Sequence, residues 1–155
     1  KVRPDAHARF SAISRTYEYH ISLEKDPFTE ESSWYIHGMI DTGLMNTAAG
    51  KLLLHDDFTS FSKLHSGNKN NICSVYEASW TEAGKTLIFR IRANRFLRNM
   101  VRAITGTLID VGRGKITPEE FEKIILSRDR SRAGMSAPAR GLFLTDIEYP
   151  SGIFV

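Results

Sequence analysis

Five of the chain's thirteen arginines stand between Phe89 and Arg102, in the run Phe89-Arg-Ile-Arg-Ala-Asn-Arg-Phe-Leu-Arg-Asn-Met-Val-Arg102. Leu87, Phe89 and Ile91 alternate with Ile88, Arg90 and Arg92, the period of an extended chain. After Asn94 the period changes: Phe96, Met100, Ile104, Leu108 and Val111 recur at helical spacing. A helix entered at that point carries Arg95, Arg98 and Arg102 at i, i+3 and i+7, on one face. Like charges so spaced disfavour an isolated helix by about 0.2–0.5 kcal/mol per pair. Such a row makes sense when anions lie opposite, either phosphates or a buried carboxylate. The planar guanidinium fork suits both, because it gives paired hydrogen bonds that an ammonium cannot. With Arg90 and Arg92 on the preceding strand, the expectation is a basic strip across two elements, an electrostatic footprint for nucleic acid. A solvated basic surface is the plain alternative on these residues alone.

Two further places invite chemistry. Arg15-x-Tyr17 sets a cation and an aromatic ring on the same face of a strand. The pair could pack over a flat base, where stacking is worth about 1–3 kcal/mol; a strand tyrosine half-buried in a core is the other reading. Leu142, in Ala137-Pro-Ala-Arg-Gly-Leu-Phe-Leu144, is either simple core or the wall of a site where small residues let a base approach the backbone. Asp56-Asp57 fits a helix cap better than a carboxylate pair, since neighbouring side chains diverge. There is no glycine loop for nucleotide phosphates and no Ser-His-Asp arrangement. The single cysteine, Cys73, excludes an internal disulfide and a CxxC metal site, and is expected as a small half-buried strand residue, in keeping with a reducing compartment. The five histidines lack close ligand spacing, so no metal site is expected.

The elements that must position these residues follow from period and punctuation. Arg15 to Leu23 alternates as a strand with Arg15, Tyr17, Tyr19, Ile21 and Leu23 on one face, and Ser33 to Met39 reads as a short strand. Asp41 or Thr42 caps a helix with Leu44, Met45, Ala48, Ala49, Leu52 and Leu53 apolar. Asp56 to Ser62 is a turn or short helical piece, and Ser66 to Asn71 a loop. Ile72–Thr81 and Lys85–Ala93 form paired strands. The arginine-bearing helix stops at Gly112-Arg-Gly114. Thr117-Pro-Glu-Glu120 opens another with a capping box. Ser131 to Arg140 is a loop, and Gly141 to Tyr149 a last strand. The order predicts an α+β fold: a mostly antiparallel sheet with helices packed on one face.

At 155 residues, 41% of them hydrophobic, the chain suits one folded domain, spanning 1–155. No apolar run is long enough to span a bilayer, and Lys1 to Phe10 is too polar for a signal peptide. The absence of an initiator Met is what a fragment or processed chain gives. Net charge is only +3, so placement matters more than amount. The acidic residues gather at Asp26–Glu31, Asp56–Asp57 and Glu119–Glu122, away from the arginines in sequence.

Five segments in order resemble the tRNA pseudouridine synthase A family, over its C-terminal domain only. They are His7-Ala-Arg-Phe-Ser-Ala-Ile-Ser-Arg-Thr-Tyr-Glu-Tyr19, Asp57-Phe-Thr-Ser-Phe61, Ala93-Asn-Arg-Phe-Leu-Arg-Asn-Met-Val-Arg102, Gly106-Thr-Leu-Ile-Asp-Val-Gly112 and Ala137-Pro-Ala-Arg-Gly-Leu-Phe-Leu144. The resemblance implies an enzyme that detaches uracil from its ribose and rejoins it through carbon, at uridines 38 to 40 of the tRNA anticodon arm. It implies no metal or cofactor, a cytoplasmic location, and a homodimer as the full-length protein. Tyr17 matches the tyrosine that stacks on the target uracil and helps remove its C5 proton. Arg102 matches the basic partner of the catalytic aspartate, and Leu142 the leucine against the base. Arg15 is a further candidate for substrate contact, and Arg90, Arg92, Arg95 and Arg98 for the RNA backbone. The family's nucleophilic aspartate lies in a Gly-Arg-Thr-Asp-Ala-Gly segment of its N-terminal domain, and this chain holds no such segment. A non-catalytic RNA-binding module is the competing reading, and an interaction domain whose arginines pair only with carboxylates is a third.

Overall fold

A computed structural model describes residues 1–155. Its sheet is built on β1 (Ser14–Ser22), which pairs antiparallel with β4 (Thr86–Ala93) on one side. β4 in turn pairs antiparallel with β3 (Val75–Ala83). The other side of β1 is shared. β5 (Leu142–Glu148) runs antiparallel along Ser14–Tyr19, and β2 (Trp34–Tyr35) adds two parallel residues at Ile21–Ser22. Three helices complete the chain: α1 (Thr42–Lys51), α2 (Met100–Gly112) and α3 (Pro118–Ser127). This is the expected α+β fold, with one parallel contact in an otherwise antiparallel sheet.

The alternation of β1 does what its period demands. Tyr17, Tyr19 and Ile21 stand opposite Ile91, Phe89 and Leu87 of β4. Directly opposed residues point to the same side of an antiparallel pair. That side meets the helices, and Tyr19, Ile21, Leu87, Phe89 and Ile91 join one continuous core with Met45, Leu52, Met100, Ile104 and Phe121. Each such side chain contributes about 1.5–3 kcal/mol on burial. The β3–β4 connection is the two residues Gly84 and Lys85, with Gly84 at φ 61°, a left-handed conformation that glycine adopts without steric cost.

Capping chemistry was readable in advance. Asp41 accepts a bond from the Leu44 amide at 2.9 Å and starts α1. Thr117 and Glu120 form the full reciprocal box before α3, at 3.1 and 2.7 Å. Asp57, expected as a cap, is not one: the short 3-10 turn Thr59–Phe61 is preceded by Phe58 with no side-chain cap. Asp57 instead closes a local turn by accepting from the Thr59 amide and hydroxyl, at 3.0 and 2.6 Å, and pairs with Arg128 at 2.9 Å.

Several expectations need correction. The strand expected over Ser33–Met39 shrinks to Trp34–Tyr35, and Gly38 at φ 99° turns the chain away. Leu44 and Leu53 lie on the exposed flank of α1 and the turn after it, while Met45, Ala48, Ala49 and Leu52 face inward. Cys73 is fully buried and precedes β3, so it is no half-exposed strand residue. The largest change concerns α2, which begins at Met100. Residues 94–99 are an irregular bridge from sheet to helix. Two of their backbone bonds go sideways: the Asn94 amide donates to the Ser74 carbonyl, and the Arg98 carbonyl accepts from the Lys63 amide, each at 3.0 Å. Asn99 then sits at φ 70°, which closes off helical continuation backward. The four-residue step from Phe96 to Met100 imitates a helix turn without being one.

Candidate active site

Where β1, the start of α2 and the start of β5 converge, the surface opens into a cavity of ≈ 1080 Å³. Tyr17 comes from β1, Arg102 from the first turn of α2, and Leu142 from the first position of β5. All three line this one cavity although they are separated by up to 125 residues of chain (142 − 17).

Each is placed by a local device. Tyr17 packs edge-on against Phe96, with ring centres 5.1 Å apart, and stays partly exposed. Its neighbour on the same strand face, Tyr19, is fully buried and donates its hydroxyl to the Pro138 carbonyl at 2.6 Å. Burial pushes the Tyr19 phenol far above its ordinary range, against the opposing pull of Arg102 and Arg140. Of two inward tyrosines, one is core and one is open to a ligand. Leu142 is set by Gly141: a Cβ there would lie 2.8 Å from both the His20 carbonyl oxygen and the Tyr19 ring. Glycine therefore lets β5 begin against Tyr19, with Leu142 directly opposite it in register.

Arg102 is held by the segment 133–138, a strap across α2. Its Nε donates to the Ala137 carbonyl at 2.6 Å, and its own carbonyl accepts from the Ala137 amide at 2.9 Å. The guanidinium is thereby oriented while no carboxylate of this chain pairs with it. The strap also ties the Gly134 amide to Thr107 at 2.9 Å and Ser136 to Asn99 at 2.6 Å.

Electrostatically the wall is one-sided. Arg9, Lys63, Arg98, Arg102 and Arg130 line it, and no aspartate or glutamate does. This replaces the continuous strip expected from sequence. Arg90 and Arg92 point to the opposite face of the sheet, where Arg90 bonds Glu77 at 3.2 Å and Glu18 at 3.3 Å. Arg92 lies 4.0 Å from Glu77 and 5.2 Å over the Tyr76 ring. Cross-strand register places Glu18 and Glu77 beside these arginines, though they are remote in sequence. Arg95 is off the helix and donates to Asn70 at 3.1 Å and to the Ile72 carbonyl at 3.4 Å. Arg98 is also off the helix, but it does line the cavity. The side-by-side clamp of Arg15 with Tyr17 does not form either. Arg15 spends its guanidinium on the Asn94 carbonyl, at 2.8 Å, and on the Arg9 carbonyl. It anchors the segment that brings Arg9 to the cavity.

Sequence reasoning did not single out Arg9, Lys63, Arg130, Asn99 or Ser136. Arg9, Lys63, Asn99 and Ser136 lie in irregular segments and Arg130 in a single 3-10 turn (Arg130–Arg132), where no period marks them; only the basic character of three of them was a signal. No group of three or more His, Cys, Asp or Glu side chains is disposed to hold a metal ion, and no helix is long and apolar enough to cross a membrane.

A family model described as tRNA pseudouridine synthase matches residues 48–150. The tRNA pseudouridine synthase A of Bacteroides thetaiotaomicron is 52% identical over 157 residues, covering 99% of this chain and 58% of that protein. Its counterpart in Porphyromonas gingivalis is 52% identical, covering 99% of this chain and 62% of the relative. That of Bacillus subtilis is 39% identical, covering 92% and 59%. The chain thus spans about three fifths of the length of these curated relatives. With the family match extending over 103 of 155 residues (150 − 48 + 1), the chain belongs to the tRNA pseudouridine synthase family.

Proposed function

We propose that this chain is the C-terminal domain of a two-domain tRNA pseudouridine synthase, and that the cavity receives a uridine flipped out of the anticodon arm. One observation carries the reading: Tyr17, Arg102 and Leu142 share a cavity whose cationic wall has no carboxylate of its own. The Tyr17 ring and the Leu142 side chain offer flat apolar walls to the base, which must leave its stack at a cost of about a few kcal/mol. A carboxylate supplied by the N-terminal domain docks beside Arg102, which keeps it ionised and nucleophilic. The carboxylate oxygen bonds C1′ as the C1′–N1 bond breaks and the uracil leaves with that electron pair. The uracil turns, C5 displaces the carboxylate to form the C1′–C5 bond, and the proton lost from C5 beside Tyr17 is balanced by one taken up at N1. Arg9, Lys63 and Arg98 take phosphates along the rim and position the RNA without reading its sequence. Arg90 and Arg92, compensated by glutamates on the far face, have no part in that rim. By resemblance to the family, the full-length protein acts in the cytoplasm as a homodimer, on uridines 38 to 40, without metal or cofactor.

The deciding experiment incubates unmodified tRNA with the full-length protein and with this chain alone, and reads pseudouridine by mass spectrometry. The full-length protein is expected to form it and the chain alone to form none. Conversion by the chain alone would overturn the missing-carboxylate reading. Binding without conversion by the full-length protein would favour the non-catalytic RNA module. A salt series adds a second check. Three phosphate contacts predict that log K against log salt falls with a slope of about −2 to −3. In the full-length protein, Arg98→Ala should flatten the slope by about one, while Arg90→Ala leaves it unchanged.

A further inference from the structure

We infer that Ser136 is a fixed hydrogen-bond donor that reads a carbonyl oxygen of the pyrimidine in this cavity, an assignment that rests on the functional reading above. Ser136 lines the cavity with Asn99 and Arg130. Its Oγ accepts from the Asn99 side-chain amide at 2.6 Å and from an Arg130 Nη2 at 3.0 Å. A hydroxyl has two acceptor sites and one proton. Both acceptor sites are filled by protein donors, so the proton is the only polar capacity left, and it finds no acceptor on the protein. In this arrangement Ser136 offers a ligand its proton and not a lone pair.

The hydroxyl is also held in place from several sides. Asn99 stands in the left-handed region at φ 70°, directly ahead of α2, and its side chain caps no amide of that helix; it reaches across to Ser136 instead. Arg130 is tied a second time, to the Gly134 carbonyl at 3.2 Å. The reciprocal Arg102–Ala137 bonds fix the next residue of the strap. Two donors of the Arg130 guanidinium are thus committed to the protein, which makes Arg130 an anchor for Ser136. The aromatic and aliphatic walls in the same cavity hold a base plane, and the outward acceptors of uracil are its two carbonyl oxygens. A locked donor beside them accepts uracil and leaves a polar mismatch against a base that presents an amino group there.

The test uses the full-length protein and anticodon-arm RNA carrying uridine, 2-thiouridine or 4-thiouridine at the target position, with product followed by mass spectrometry. Sulfur is a weak acceptor, so the thio group removes the partner of the proposed bond. Ser136→Ala is expected to lower kcat/KM on uridine by about tenfold to a hundredfold, the range for a buried polar group losing its partner. Ser136→Thr keeps the hydroxyl and should stay within about threefold of wild type. One of the two thio substrates should slow the wild type by a similar factor and slow Ser136→Ala no further, which identifies the carbonyl read. Asn99→Asp leaves Ser136 in place but turns its donor partner into an acceptor that captures the serine proton; it should reproduce the loss and keeps the assignment testable if Ser136→Ala unfolds. Ser136→Ala within threefold of wild type, or thio penalties undiminished in it, overturns the assignment alone. A wild type that makes no pseudouridine from plain uridine overturns the functional reading and this inference with it.

Discussion

Replacing Arg102 by alanine in the full-length protein is expected to slow pseudouridine formation by about a hundredfold to a few thousandfold, with tRNA affinity changed by less than about fivefold. The magnitude follows from the proposed pairing. Removing one partner of a desolvated charge pair costs about 3–5 kcal/mol, because the other charge is left buried and uncompensated, and each 1.36 kcal/mol is tenfold in rate. A carboxylate deprived of Arg102 drifts toward its protonated, non-nucleophilic form. The loss should accordingly shrink at higher pH, where solution conditions restore ionisation. Arg102→Lys keeps a charge but loses the planar fork and the Nε bond to Ala137, which sits at 2.6 Å in the native protein. It should recover only part of the rate. Single-turnover rates across pH, beside filter-binding constants, separate this from a phosphate role. If Arg102→Ala weakens binding as much as turnover, Arg102 is a backbone contact and not the partner of a nucleophile.

How much of this was legible beforehand differs from residue to residue, for physical reasons. The inward face of β1 was plain, because strand period alone sends Tyr17, Tyr19 and Ile21 to one side. The caps at Asp41 and Thr117 were plain, because their partners lie within three residues. The difference between Tyr17 and Tyr19 was not: it depends on Pro138, 119 residues on, accepting the Tyr19 hydroxyl, and on the open cavity beside Tyr17 that Phe96, Arg102 and Leu142 bound. The same holds for Arg90. Its character as a paired, outward residue comes from Glu18 and Glu77, delivered by strand register. Helical spacing misled at Phe96, where backbone bonds to Ser74 and Lys63 outcompete a helical turn. The resemblance named Tyr17, Arg102 and Leu142 without geometry, and the fold supplies what spacing could not, a common wall.

Gly106 gives the sharpest test of how that wall is held. Alanine at an ordinary buried helix position should stabilise by about 0.8–1.0 kcal/mol relative to glycine. At Gly106 the sign should reverse. A Cβ there would stand 2.9 Å from the Met135 carbonyl carbon and closer still to its oxygen, with the Ala137 amide nitrogen at 3.4 Å. These are backbone atoms of the strap, so no flexible side-chain tip can swing aside. α2 cannot yield either, since nearly all of it is buried. The strap must lift, and lifting it strains the Arg102–Ala137 pair, the Gly134–Thr107 bond and the Asn99–Ser136 bond together. Each is worth about 0.5–1.5 kcal/mol, so Gly106→Ala should cost about 3 kcal/mol in urea unfolding of the full-length protein. Gly50→Ala is the control: that glycine is also helical, and a Cβ there meets nothing within 4 Å. It should be neutral or mildly stabilising. Because the strap orients both Arg102 and Ser136, Gly106→Ala should also reduce turnover of the folded fraction by more than tenfold, a loss that persists at temperatures where the variant is fully folded. Equal stability of the two alanine variants would mean that the strap accommodates a methyl group without moving, and that the close approach at Gly106 does not set the position of Arg102.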